Sequence, residues 1–206
     1  MSPLILRELG CVDYAPTFAA MQEFTATRDA GTPDELWLCE HPPVFTQGLS
    51  GKPEHLLKDI GIAVVQIDRG GQITYHGPGQ AVVYLLLDLR RREITVRGLV
   101  NRIEQAVIDL LAGCGVTAQR LAGSPGVYVG AAKIAALGLR IKHGCSYHGV
   151  ALNVDMDLAP YGAINPCGYE GLAVTQLRDL TGECDTLKVG DDLAARLTAQ
   201  LETSPT

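Results

Sequence analysis

Residues Ala81-Val-Val-Tyr-Leu-Leu-Leu87 form a continuous apolar run with no polar side to turn toward water. A strand of that kind is buried on both faces, so the chain must build layers around it. The clearest helix is predicted over 97–112. There Leu99, Ile103, Ala106, Val107, Leu110 and Leu111 form one apolar stripe, and Gly113 stands at the C-terminal cap. A second helix is expected over 16–29, with Phe18, Met21 and Phe24 at helical spacing, and a third near 191–201 behind an Asp191 cap. Strands are expected at Leu36–Cys39, Val44–Thr46, 62–68, 126–130, 133–142 and 147–154, joined by short glycine-bearing turns. Paired strands with interspersed helices predict an α+β fold, a single domain over 1–206 on mixed β-sheets with flanking helices. No repeat or polar linker divides it, and the last helix and tail are expected to be peripheral.

Seventeen basic against 23 acidic residues give a net charge of −6, and only 5% of residues are aromatic. That balance argues against nucleic-acid binding, which needs a basic footprint or stacking platforms. No apolar run approaches the roughly 20 residues of a membrane span, and Arg7 and Glu8 cut short any signal-peptide core. Cys11, Cys39, Cys114, Cys145, Cys167 and Cys184 therefore read as reduced thiols of a cytoplasmic protein. Gly51-Lys52 lacks the earlier glycine of a phosphate loop, and no C-x-x-C pair or G-x-S-x-G elbow occurs. Neither a metal nor another cofactor is expected.

The densest segment is Arg69-Gly-Gly-Gln-Ile-Thr-Tyr-His76-Gly-Pro-Gly-Gln80, between two predicted strands. Gly70 and Gly71 let backbone approach a ligand, and Thr74 and His76 share a face if the segment is extended. A plain glycine-rich turn fits the composition equally. Cys167 lies in the irregular loop Asn165-Pro-Cys-Gly168, where it is either an inert thiol or a loop nucleophile. Lys133 opens an apolar strand and either snorkels to solvent or sits desolvated beside a partner. Arg90, Arg91, Arg92, Arg97 and Arg102 against Glu93 make a +4 stretch, read as a docking patch for an acidic carrier or as a solvated helix face.

Jointly, these segments resemble the lipoyl(octanoyl) transferase family. Arg69-Gly-Gly-x-x-Thr-Tyr-His76-x-x-Gly-Gln80-x-x-x-Tyr84 is similar to its signature. Lys133-Ile-Ala-Ala-Leu-Gly138, His148-Gly149 and Asn165-Pro-Cys167-Gly168 resemble three further motifs in order, and Glu40–Gly48 resembles its N-terminal region. The resemblance implies a fold related to biotin and lipoate protein ligases. It implies octanoyl transfer from octanoyl-acyl carrier protein to a lysine of lipoyl domains, in 2-oxoacid dehydrogenase E2 subunits and the glycine cleavage H protein. It further implies Cys167 as acyl-accepting nucleophile and Lys133 as its activating partner. The acyl site would be lined by Arg69, Gly70, Gly71, Gln72, Ile73, Thr74, Tyr75 and His76, by Ala136, Leu137 and Gly138, and by Gly149, Val150 and Ala151. An ATP-dependent lipoate or biotin ligase and a non-catalytic carrier-binding module are the alternatives. The first needs no nucleophilic cysteine, and the second would not be expected to keep both Cys167 and Lys133.

Overall fold

A computed structural model describes residues 4–168 and 170–203, apart from the side chain of Cys167. The buried run becomes β6 (Gln80–Leu86), the third strand of a seven-stranded sheet. On one side of it lie β2 (Asp34–Glu40) and, parallel to β2, β1 (Leu4–Cys11). On the other side follow β10 (Cys145–Asn153), β9 (Ala132–Lys142), β8 (Ser124–Val129) and β7 (Gln119–Leu121), all antiparallel. A small second sheet has β3 (Val44–Gln47) between β4 (Val64–Gln66) and β5 (Ile73–His76).

Alternation along β6 explains its composition. Val83 and Leu85 face the helices α2 (Val96–Gly113) and α4 (Thr186–Glu202), against Leu99, Ile103, Leu193 and Leu197. Val82, Tyr84 and Leu86 face the other way, toward Tyr14 and Met21 of α1 (Tyr14–Thr27). Each such aliphatic side chain contributes about 1.5–3 kcal/mol on burial, so the strand is anchored from both faces. The expected α+β fold on mixed sheets is the observed one. A short α3 (Leu177–Thr181) precedes α4, and no described helix is long and apolar enough to cross a membrane.

Three details differ from expectation. β1 was not anticipated, because its exposed side chains carry no alternating pattern; it is held by the parallel ladder to β2 and by Arg7, which grips Glu35 at 2.5 and 2.7 Å. The cap of α4 is Asp185, whose carboxylate accepts from Leu187 N and Lys188 N, while Asp191 lies inside the helix. Leu193, Leu197 and Leu201 of α4 belong to the main core, so this helix is integral to the packing, and the tail beyond Thr203 lies outside the described residues.

The arginine-rich stretch is also put to structural use. Asp34 is fully buried and accepts from Arg28 Nη2 at 2.6 Å, Arg91 Nη2 at 2.7 Å, Arg92 Nε at 2.5 Å and Asp88 N at 2.8 Å. Arg102 is turned toward Gln200 O and Thr203. Arg91 and Arg92 are thus engaged within the fold, where with Arg28 they make burial of the Asp34 carboxylate possible, while Arg90 and Arg97 of the same stretch stay exposed. Burial pushes the Asp34 pKa up, but the Asp88 N–H and the Arg28 and Arg92 guanidiniums outweigh it and hold the group below the usual carboxylate range. Asp34→Ala should cost about 3–5 kcal/mol of unfolding free energy, read by urea denaturation at pH 7. With a depressed folded pKa, the Asp34 contribution is complete above about pH 4 and is lost as pH falls through the folded value. The variant should accordingly lose less further stability than the parent below that pH.

Candidate active site

Lys133 sits at the start of β9 and is only 3% exposed, so the snorkelling alternative is wrong. Its Nζ donates to Pro125 O at 3.2 Å and lies 5.1 Å from the Tyr128 ring centroid, in the range of a cation–π contact. Its backbone makes a parallel bridge with Val174: Lys133 N donates to Ala173 O at 2.9 Å, and Thr175 N donates to Lys133 O at 3.0 Å. The turn Pro166–Gly168 is held by Gly168 N donating to Asn165 O and by Asn165 N donating to His55 O. Gly168 has φ +77°, and a Cβ there would come within 3.0 Å of Gln72 Cγ. The backbone of Cys167 thus lies in a turn packed on Gln72, while its side chain lies outside the described residues.

Gln72, with Gly71, Leu137 and Gly138, forms the wall common to two cavities. The inner one, about 60 Å³, is lined by Arg69, Ile73, Thr74, His76, Ala136, Gly149, Val150 and Ala151, with Tyr14, Val82, Tyr84 and His148. The outer groove, about 360 Å³, reaches Gly70, Lys133, Pro125, Val96, Val100 and Leu139. Most of the expected lining is therefore assembled. Gly70 opens on the outer groove alone, and Tyr75 lines neither cavity, because β5 alternation turns it away from Thr74 and His76 toward Phe45 and Tyr161. Gly138 is required by a close approach: a Cβ would lie 2.7 Å from Arg69 Cδ.

The inner wall is mostly apolar, and its polar groups are mostly uncharged. Arg69 Nη2 donates to Thr46 O at 2.9 Å and Thr46 Oγ1 at 3.0 Å. With its own proton, Thr46 Oγ1 can serve His76 Nε2 at 3.2 Å, which leaves His76 Nδ1–H to donate to Gln80 Oε1 at 2.7 Å. Gln80 Nε2 continues to Asn153 Oδ1, and Asn153 Nδ2 donates to Thr175 O, returning the network to the segment paired with Lys133. Burial, reinforced by His41, pushes the His76 pKa down to about 3. His41 is lowered by burial too; its Nδ1–H donates to Val12 O and its Nε2 accepts from Tyr84 OH, both at 2.6 Å. His148 carries φ +61° in mid-strand and donates from Nε2 to Asp68 Oδ1 at 3.0 Å. Burial would raise Asp68, but its bonds from His148 and Tyr147 hold it down at about 2. Sequence reasoning missed Tyr14; His41, Thr46 and His148 stood only within resembling segments, with no role given to them.

The chain is an α+β domain with two adjoining cavities beside its main sheet. It belongs to the lipoyl protein ligase A/B catalytic domain family, which it matches over residues 13–200, and within it to the octanoyltransferases. An octanoyltransferase of Dechloromonas aromatica (strain RCB) is 64% identical over 200 residues, covering 97% of this chain and 98% of the relative. A crystal structure of lipoate-protein ligase A bound with ATP superposes with a TM-score of 0.76 at 16% identity, covering 97% of this chain and 85% of that one. The biotin protein ligase of Aquifex aeolicus, in complex with biotin and ATP, reaches 0.58 at 12% identity over 98% and 71% of the two chains. At those identities the likeness is one of fold.

His76 should remain neutral across the working range, with no titration of its ring C2 proton by NMR between pH 5 and 8. Because its folded pKa lies below the ordinary value near 6.5, the unfolded chain binds the proton first as pH falls. Stability should therefore decline below about pH 6.5, and His76→Gln should flatten that part of the slope. A C2 proton titrating near pH 6.5 would refute the closed network.

Proposed function

We propose that the chain transfers an octanoyl group from octanoyl-acyl carrier protein to a lipoyl-domain lysine through a Cys167 thioester, with Lys133 handling the protons. The observation that supports this reading is the backbone pairing of the buried Lys133 with Ala173 and Thr175, in the connection that also bears Cys167.

An ordinary thiol with pKa about 8.5 is only a few per cent ionised at neutral pH, and a buried ammonium beside it raises that fraction. The sulfur attacks the donor carbonyl; a C–S bond forms, the carrier's C–S bond breaks, and the departing thiolate takes a proton from Lys133. In the second half, the acceptor amine forms the C–N bond, the Cys167 C–S bond breaks, and the amine's proton passes by way of Lys133 to the sulfur. The thioester is already activated, so no ATP is consumed. Gln72 Oε1 is buried with no hydrogen-bond partner among the described residues, which suits it to accept from an incoming N–H. The acceptors on this reading are E2 lipoyl domains and the glycine cleavage H protein.

Intact mass spectrometry after incubation with octanoyl-acyl carrier protein should show one octanoyl group on Cys167, lost in Cys167→Ala together with transfer. An ATP requirement would favour the ligase chemistry instead. Lys133→Ala should move the pH profile of Cys167 alkylation by iodoacetamide upward toward about 8.5. Lys133→Arg keeps the charge but cannot accept a proton, so acylation should suffer less than transfer to the amine. Wild-type behaviour of Lys133→Ala in both assays would eliminate the dyad.

Tail burial adds a second expectation. Two methylenes fewer, at about 0.8 kcal/mol each, should lower kcat/KM for a hexanoyl donor roughly fifteenfold. Equal rates for butanoyl, hexanoyl and octanoyl donors would leave the tail in water.

A further inference from the structure

We propose that Glu104, in the middle of α2, is a positioning residue that holds the Lys133 ammonium in place through one peptide unit, Pro125–Gly126. The proposal rests on the role of Lys133 given above. Glu104 is 5% exposed, on the apolar stripe of α2 between Ile103 and Val107. Its Oε1 accepts Gly126 N–H at 3.0 Å and its Oε2 accepts Arg120 Nε at 3.0 Å. The carbonyl of that same peptide, Pro125 O, accepts from Lys133 Nζ at 3.2 Å.

A planar trans peptide points its N–H and C=O in opposite directions. Fixing the N–H on α2 therefore aims the carbonyl at the lysine across β8. The ladder does not supply this restraint, because the β8–β9 register shifts between Val127 and Tyr128, beside this peptide. Gly126 stands at φ +127°, and a Cβ there would lie 2.6 Å from Ala135 O and 3.3 Å from Lys133 Cε. Only glycine lets the peptide run this close to the lysine stem. A carboxylate on the N–H also polarises the peptide, which strengthens its carbonyl as an acceptor for a cation. The charged and titratable groups that the printed contacts link to this lysine and peptide are Glu104 from α2, Arg120 from β7 behind it, and Tyr128 from β8 against the ammonium.

Lysine has a flexible four-carbon stem, and a displacement of about 1 Å at a reacting group can cost on the order of a hundredfold in rate. Two substitutions separate positioning from bulk stability. Glu104→Gln keeps an acceptor for Gly126 N–H, whereas Glu104→Met fills a similar volume without one. Transfer kinetics, donor KM and the Cys167 alkylation profile are measured on both, beside Lys133→Ala, after melting curves establish that each is folded. Glu104→Met should lose at least about tenfold in kcat at unchanged donor KM and shift its alkylation profile in the direction of Lys133→Ala, while Glu104→Gln stays within about threefold of the parent. Should Glu104→Met fail to fold, Glu104→Asp, which withdraws the carboxylate from Gly126, should show the same loss in kcat. A folded Glu104→Met, or Glu104→Asp in its stead, with the parent's kcat and profile overturns the proposal. Glu104→Gln as impaired as Glu104→Met overturns it too. If Lys133→Ala itself leaves the profile unmoved, it is the dyad that fails.

Discussion

Because β6 is buried on both faces, it can give the site only a wall, through Val82 and Tyr84, and most of the cavity is built from neighbouring elements. Val83 and Leu85 are committed to α2 and α4, Val82 and Leu86 to the α1 side, and polar atoms come from Tyr84 and, at the start of the strand, Gln80. The chemistry-bearing groups consequently come from β5, β9 and β10 and from the loops joining them. Glycines at 138 and 149 let these elements close on one another, with a Cβ at 149 meeting Val83 O at 2.0 Å. The cavity is thus a gap left by packing around a filled strand.

Burial also sorts the charges. Polar groups of the inner wall are kept neutral by desolvation and satisfied by one another, as His41, His76 and Tyr84 show. Two cations flank the cavities, Arg69 in the inner wall and Lys133 in the outer groove, and each is anchored to a backbone carbonyl, Thr46 O and Pro125 O respectively. On the proposed reading, the field of these two anchored cations favours negative charge that develops at a reacting carbonyl. Asp34, the buried carboxylate with three arginines, lies apart at the start of β2 and does not weaken that field by direct contact.

The sequence was informative where one local period decided the outcome. The α2 stripe, the hairpin strands β8 to β10 and the apolar β6 all follow from spacing that each element carries by itself. It was uninformative where a residue's partner is remote. β1 exists through β2, the arginines at 91 and 92 turn inward because Asp34 waits 57 and 58 positions away, and Tyr14 reaches the cavity from α1 with no motif to mark it. Tyr75 could have been placed correctly from strand alternation alone, since it sits between Thr74 and His76. Glu104 carried a legible signal as well: an acid on the core side of an amphipathic helix asks for a partner.

The short parallel bridge at Lys133 has a consequence for the life of the chain. Ala173–Thr175 is made some 40 residues after Lys133, and Asn153 must already be in the finished sheet before it can receive Thr175 O. Contacts of such sequence separation form late, after the loop-closure entropy has been overcome. Any influence Lys133 exerts on the 166–168 turn is therefore withheld from a nascent or partly folded polypeptide. On the proposed reading, an unfinished chain carries only an ordinary cysteine at 167, indifferent to the thioesters around it, and its activation arrives together with the completed molecule.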